Sequence, residues 1–415
     1  MRYPHDKPRV LFVEQFYYPD GWGGAQLPID LTVHLARLGF AVEVVCGSDQ
    51  YAPVEDEPPP DPRLEGIRIC RIPALLRGDI HRAKLLRQVW FYLALLPLLF
   101  FRSAAHLYIV QTNPPLALVL VAAAARCRRK PLMIIAMDMY PEVLIAHGTV
   151  HEHSLMGALM ARMFRWAYRS AARVVALGPV MAERLVSKGV DCAKIAVIPN
   201  WATGDTESAP GAGALAEELE LPKGGFVLLY SGNLGLAHEF ETLLAGAARA
   251  YRSLPSLRLV FIGRGSRLAE VKRRVGELGM EPMVRFRNLL NAKRLPESFG
   301  VADLAIVTLR RGFEGLVVPS KLQGYWARGV PVLYIGPRSD IDLFVQRSGG
   351  GISCRNGDVE GVAKAILDLA AHRNRLDSLG VQARKFYQAE FSRSRGLARY
   401  ESAVHSMLDG GGAAS

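Results

Sequence analysis

The sequence predicts an α/β protein made of two doubly wound parallel-sheet domains. Three observations carry this reading. Strand-like apolar runs alternate with helical patterns along the chain. A polar, Gly- and Pro-bearing break at 203–213 (TGDTESAPGAG) interrupts the alternation, after which it restarts. The 415 residues exceed what one domain of about 100–200 residues holds. In the first half, short apolar runs at 10–15, 41–46, 67–72, 107–111, 132–137, 173–177 and 195–198 read as strands. Longer segments with apolar residues at helical spacing, at 24–38, 84–101, 115–126, 155–171 and 179–188, read as the helices between them. After the break, strands fall at 226–230, 257–262, 284–286, 304–308, 332–335 and 351–354. The accompanying helices are expected at 239–251, 266–278, 320–328, 358–371 and 373–389, with a last helix ending before the GGGAAS tail. Two Rossmann-like domains (1–205 and 206–393) would face a central cleft at the carboxyl ends of their strands, where ligands bind in such folds.

Half of the residues are hydrophobic and 22% are charged, which excludes a disordered chain. Five scattered cysteines without a CxxC pair argue against a disulfide framework or zinc ribbon and fit a reducing cytoplasm. The opening MRYPHDKPRV lacks the apolar stretch of a signal peptide. EDEPPPDP at 55–62 reads as a surface loop. The formal charge of +12 is concentrated: eleven basic residues against Asp79 alone give +10 between Gly66 and Lys130. This stretch encloses an uncharged run of thirteen, 89–101. A spanning helix needs about 20 apolar residues, so this run, interrupted by Pro97, is too short to cross a bilayer. It can lie in a membrane interface, with Arg82, Lys84 and Arg87 on anionic lipid phosphates and Trp90, Phe91 and Tyr92 at headgroup depth. The other reading is a buried helix with a solvated basic flank, and the sequence leaves both open. No RNP pattern, zinc finger or aromatic-interleaved basic strip accompanies the charge, so nucleic-acid binding is not expected.

Three Gly-rich turns follow strands: PDGWGGA at 19–25, YSGNLG at 230–235 and FIGRGS at 261–266. Small residues there let a ligand approach the backbone. Tight βα turns explain each one equally well, but two adjacent turns at one sheet edge favour a phosphate ligand. GLVVPSK at 315–321 stands directly before a helix. Pro319 suits a first helical turn, Ser320 can cap free N–H groups, and Lys321 adds a cation suited to a diphosphate. Arg264 can supply a second, bidentate cation.

The ordered set YYPDGWGG, QTNPP, MDMYPE, VIPNW, YSGNLG, FIGRG and VVPSKLQGYWARGVPVLYIG resembles the GT-B-fold glycosyltransferases of family 4. It is most similar to the bacterial branch building exopolysaccharide and O-antigen repeat units, the colanic-acid and WbuB-like transferases. The resemblance implies an N-terminal acceptor domain, a C-terminal nucleotide-sugar domain and a last helix (394–409) packing back on the first. It implies a retaining hexosyl- or N-acetylhexosaminyl-type transfer from a UDP- or GDP-sugar to a polyprenyl-diphosphate-linked sugar, with no obligatory metal or other cofactor. Such an enzyme works in the cytoplasm, peripherally attached to the inner face of the cell membrane. Carried over residue by residue, Gly23 and Gly24 match the loop by the donor phosphates, and Asp138 an acceptor-side position. Gly232, Asn233, Gly263 and Arg264 match donor-side turns, and Lys321 the cation before the nucleotide helix. The family's Arg and Lys in the first donor turn are here Asn233 and His238. Its two glutamates seven residues apart align with Leu316 and Gly324, so Glu314, Gln323 or a backbone group would take over the sugar and ribose contacts.

In such a transfer negative charge grows on the departing diphosphate, so Arg264, Lys321 and the helix beginning at Ser320 are the candidate stabilisers. Asp138 can orient the acceptor hydroxyl or simply cap a strand end. His238 can touch a phosphate or cap the following helix, and Glu314 can reach a sugar hydroxyl or pair with Arg310 or Arg311. His147, His151 and His153 read as part of a mobile loop rather than metal ligands. Two alternatives stay open: a GT-B nucleotide-sugar epimerase or hydrolase, and an inactive transferase-like binding protein.

Overall fold

The computed structural model describes residues 7–19, 26–48, 61–74, 84–102, 104–202, 213–290 and 294–409. Among these, thirteen strands form two wholly parallel sheets. The strands are β1 (Arg9–Val13), β2 (Ala41–Gly47), β3 (Arg68–Ile72), β4 (Leu107–Gln111), β5 (Leu132–Ala136), β6 (Arg173–Ala176), β7 (Ile195–Val197), β8 (Phe226–Ser231), β9 (Leu257–Ile262), β10 (Val284–Arg287), β11 (Leu304–Thr308), β12 (Val332–Ile335) and β13 (Gly351–Cys354). The helices are α1 (Gln26–Arg37), α2 (Lys84–Pro97), α3 (Ala117–Cys127), α4 (Glu142–Ala146), α5 (Leu155–Ser170), α6 (Pro179–Ser187), α7 (Gly213–Glu218), α8 (Glu241–Tyr251), α9 (Leu268–Glu277), α10 (Leu295–Gly300), α11 (Lys321–Ala327), α12 (Asp340–Ser348), α13 (Val359–Ala371), α14 (Arg373–Phe386) and α15 (Arg393–Asp409). A π-helical turn, Leu98–Arg102, prolongs α2.

The chain forms two compact units, 1–199 with 394–415, and 200–393. The first sheet runs β3-β2-β1-β4-β5-β6-β7 and the second β10-β9-β8-β11-β12-β13. Each order reverses direction beside its first strand, which creates the crevice where doubly wound folds bind ligands. Central strands such as β4, β5, β8 and β11 are buried along their whole length. That is why they read as unbroken apolar runs, since helices cover both faces of a parallel sheet. Edge strands β3 and β10 instead expose arginines, which discourages pairing with another chain.

Right-handed crossovers distribute the helices. The steps β3→β4, β4→β5 and β5→β6 all move in one direction along the first sheet, so α2, α3 and α5 lie on one face. The step β1→β2 moves oppositely and sends α1 to the other face. There α15 packs against it: His34 Nε2 lies 3.0 Å from Glu401 Oε2, and Phe40 meets His405 with ring centroids 6.0 Å apart. In the second unit, Phe226, Tyr230, Phe261 and Phe240, the residue before α8, join one buried cluster over β8 and β9. Tyr230 and Phe240 pack edge to face at 5.1 Å and form a floor beneath the carboxyl ends of these strands.

Four helices are absent from the expectations above: α4, α7, α10 and α12. All run nine residues or fewer, too short to display more than one or two apolar repeats. In α12 the Ser339 side chain accepts from Asp342 N–H, and Asp342 is buried against Arg355 at 2.9 Å, so polar contacts replace the missing periodicity.

Candidate active site

The second unit's site is assembled from two interlocked turns and one lysine. After β8 the chain turns through Gly232–Gly235, and after β9 through Gly263–Gly265. Gly232 N–H donates to the Ile262 carbonyl at 2.8 Å, and Leu234 N–H to that of Arg264 at 2.8 Å. A Cβ on Gly263 would sit 1.9 Å from the Gly232 carbonyl oxygen. Only glycine lets the turns stack this closely, so mutual packing accounts for Gly263 without a ligand. Gly232 has φ +122°, and a Cβ there would lie 3.0 Å from Lys321 Cε. The lysine stem therefore lies directly along the first turn.

Lys321, the first residue of α11, is held by neutral groups. Its ammonium donates to His238 Nε2 at 3.0 Å and to the Asn233 carbonyl at 3.3 Å, and stands 4.7 Å from the Tyr230 ring centroid. His238 is buried, and its Nδ1 lies 2.8 Å from the Thr308 carbonyl. That contact places the proton on Nδ1 and leaves the Nε2 lone pair for the lysine. Burial first, then the nearby ammonium, push the His238 pKa down to about 3, so the ring is neutral. Burial pulls Lys321 down to about 7. Among the described residues no carboxylate lies within ion-pair distance of it. Arg267, which sequence reasoning missed, donates to the His238 carbonyl, pairs with Glu270 and lies 5.5 Å from the Phe240 ring centroid. It fixes the loop that carries the histidine.

The other expected donor-side residues fare unevenly. Arg264 is exposed beside this cluster, and its guanidinium has no partner among the described residues. Asn233 contributes its main-chain carbonyl, which also accepts from Tyr230 OH at 2.8 Å. Ser320 does not cap: its own φ/ψ (−74°, −3°) is helical, whereas a capping side chain needs extended backbone to reach N2 or N3. Glu314 turns back on its own loop and accepts from Gly312 N–H at 3.0 and 3.1 Å. Gln323 is buried, two residues after Lys321 on α11. Side chains two apart point about 200° from each other on a helix, so it faces away from the lysine.

In the first unit, Asp138 follows β5. Its N–H and that of Met137 both donate to Thr112 Oγ1 at 3.1 Å, which presents the carboxylate at the carboxyl end of the sheet. Burial raises its pKa to about 6, and its carboxylate has no hydrogen-bonding partner among the described residues. Gly23, Gly24 and Arg82 lie outside the described residues. Lys84 opens α2. Arg87 and Phe91 are corrected as surface residues: they are 6% and 3% exposed and face the domain interior. Trp90 Nε1 donates to the Pro73 carbonyl at 2.8 Å, and Tyr92 OH lies 3.4 Å from Leu116 N. The outer stripe of α2 is instead Leu86, Val89 and Leu93, continued by Phe101. The segment from His147 to His153 is an exposed turn tied to the start of α5, where Ser154 Oγ accepts from Gly157 N–H at 3.0 Å and donates to the His151 carbonyl. Among the described residues no group of His, Cys, Asp or Glu is placed to hold a metal ion, and no helix is long and apolar enough to cross a membrane.

Comparison with known proteins agrees with this architecture. Residues 28–201 match the glycosyl transferase 4-like domain, and residues 214–386 match glycosyl transferases group 1. A probable glycosyltransferase of Pseudomonas aeruginosa, WbjE, is 28% identical over 302 residues, 72% of this chain and 74% of its own. A putative colanic acid biosynthesis glycosyl transferase of Escherichia coli K12, WcaI, is 30% identical over 152 residues, 36% of this chain and 37% of its own. Among solved structures, Anabaena HepE in complex with UDP-glucose superposes with a TM-score of 0.72 at 16% identity, covering 96% of this chain and 99% of that one. The lipopolysaccharide-biosynthesis glycosyltransferase WaaG superposes with a TM-score of 0.65 at 14% identity, covering 95% and 98%. Matched in both halves and over nearly its whole fold, the chain belongs to the family 4 glycosyltransferases of the GT-B fold.

Proposed function

We propose that this transferase moves a sugar, with retention, from a UDP- or GDP-sugar to a polyprenyl-diphosphate-linked sugar in the assembly of a cell-surface polysaccharide. The observation that carries the donor half is the Lys321 ammonium, held by His238 Nε2, the Asn233 carbonyl and the Tyr230 ring with no carboxylate beside it. A half-buried cation kept by neutral acceptors lacks its counter-charge, and a diphosphate supplies one. The relatives support the same reading: WcaI is named for colanic acid biosynthesis, and HepE was solved with UDP-glucose.

In this reading the bond from the sugar C1 to the diphosphate oxygen breaks, and its electron pair stays on the diphosphate. Lys321, with Arg264 from the neighbouring turn, stabilises that charge, so no resident metal is required. The acceptor oxygen bonds C1 on the same face, and its proton passes to the leaving diphosphate. Asp138, ionised above about pH 6, orients the acceptor hydroxyl rather than serving as a strong base. Incubation with a panel of UDP- and GDP-sugars, with and without a polyprenyl-diphosphate-linked sugar, tests the proposal. Product is expected only when the lipid is present. Sugar released or altered without the lipid overturns the acceptor assignment.

A further inference from the structure

Helix α5 presents an inverted face. Its core contacts are Gly157, Phe164, Ala167 and Tyr168. On the opposite side, Leu155 is 92% exposed, Leu159 53% and Trp166 42%. At 100° per residue these three fall within about 40° of one another, in a line away from the core. Exposed Arg162, Arg165 and Arg169 run along one flank of that line, and no acid occurs in LMGALMARMFRWAYRS. Large apolar side chains on a helix's solvent side, in line and flanked by one sign of charge, mark a surface that a membrane or another protein covers.

We infer that the outer face of α5, with the parallel apolar stripe of α2, is the surface by which the first unit lies on an anionic lipid bilayer. This rests on the lipid-linked acceptor proposed above. Three features select a bilayer over other occupants. The α2 stripe, Leu86, Val89, Leu93 and Phe101, lies on the same face of the sheet, one helix away across α3. Packed helices stand 8–10 Å apart, so the two stripes span about 16–20 Å, a broad face suited to a plane rather than a groove. The arrangement of Trp, Leu and Arg on one helix is that of interfacial segments, with the arginines at phosphate depth and the apolar residues below. A second copy of this chain fits poorly, because a two-fold contact would set the three arginines against their own equivalents.

The test uses the full chain and sedimentation with vesicles of phosphatidylcholine alone or mixed with phosphatidylglycerol. Binding is expected to the anionic vesicles. The triple variant Arg162→Gln, Arg165→Gln, Arg169→Gln should lower partitioning on the order of 100-fold. The variant Leu155→Ser, Leu159→Ser, Trp166→Ser should abolish it even though α2 is intact. Both should keep the wild-type gain in melting temperature on adding UDP or GDP, which shows that the fold and donor site survive. Partitioning that is unchanged in both variants overturns the inference. So does a wild-type dimer in light scattering that Leu159→Glu dissociates without any vesicle dependence. Wild-type vesicle binding through α5 without product from the polyprenyl acceptor would overturn the acceptor reading and leave the docking surface standing.

Discussion

Replacing Lys321 by Met moves stability and turnover in opposite directions. Burial lowers the ammonium's pKa from 10.5 to about 7. At about 1.4 kcal/mol per pKa unit, carrying that charge in the folded protein costs at most about 5 kcal/mol. Water reaching this half-buried side chain reduces the recoverable part to about 2 kcal/mol. The unfolded chain keeps the proton up to 10.5 and the folded chain to about 7, so the penalty is full below pH 7 and fades as pH rises towards 10.5. Methionine carries no such penalty. At about 2–4 °C per kcal/mol for a domain of this size, the ligand-free variant should melt about 4–8 °C higher below pH 7, with a smaller gain in alkaline buffer. Turnover should fall, because a charge-assisted hydrogen bond to the diphosphate is worth about 1.5–3 kcal/mol, or about 10- to 150-fold in kcat/KM. Thermal melts with and without UDP or GDP, paired with steady-state rates, read both effects. A variant that melts lower than wild type, or one that keeps full kcat/KM and the full nucleotide-induced shift, refutes the caged-cation argument.

Four further outcomes follow from the same geometry. The pH profile of kcat/KM should be a narrow bell, rising through about 6 as Asp138 ionises and falling through about 7 as Lys321 deprotonates, and Lys321→Arg should remove the alkaline limb. His238→Ala should cost about tenfold in kcat/KM by freeing the ammonium from one hydrogen bond, with His238→Gln, which keeps an acceptor, recovering most of it. Gly263→Ala should destabilise the second unit by at least about 2 kcal/mol in urea, because its Cβ cannot share space with the Gly232 carbonyl. Arg87→Ala should lower the melting temperature, equivalent to about 1–3 kcal/mol, and leave vesicle partitioning unchanged, because the side chain faces inward.

Much of the frame was legible because parallel strands sandwiched by helices must be apolar on both sides. LYIVQ, LMIIA and LAIVT allow few other readings, and the observed strands fall on the expected runs. Helix orientation was not legible in α5, where apolar residues occur all around the axis and the small Gly157 and Ala167 turn inward while Trp166 turns out. The longest apolar run, 89–101, can read as a membrane stripe, yet every fourth residue of it (Phe91, Leu95 and Leu99) fills the core. At the site, PSK announced a lysine before a helix. Nothing local announced that His238, more than eighty residues earlier, would be its acceptor. That contact arises only because β8 and β11 are neighbours, which brings the turn after β8 to the carbonyl of Thr308. Arg267 carries no local signal either, since its target is the main-chain carbonyl of His238.

The chain leaves the first unit at Pro199 and returns to it at Ser394, and α15 then buries Tyr400 and Val404 there beside the contacts to His34 and Phe40. The unit that comes first along the chain is therefore completed after the second. Residues 200–393 form a contiguous span that can fold as soon as it emerges from the ribosome, whereas the earlier segment waits for the final helix with part of its α1 face uncovered. A premature stop near the C-terminus would consequently damage the older half of the polypeptide and spare the younger one.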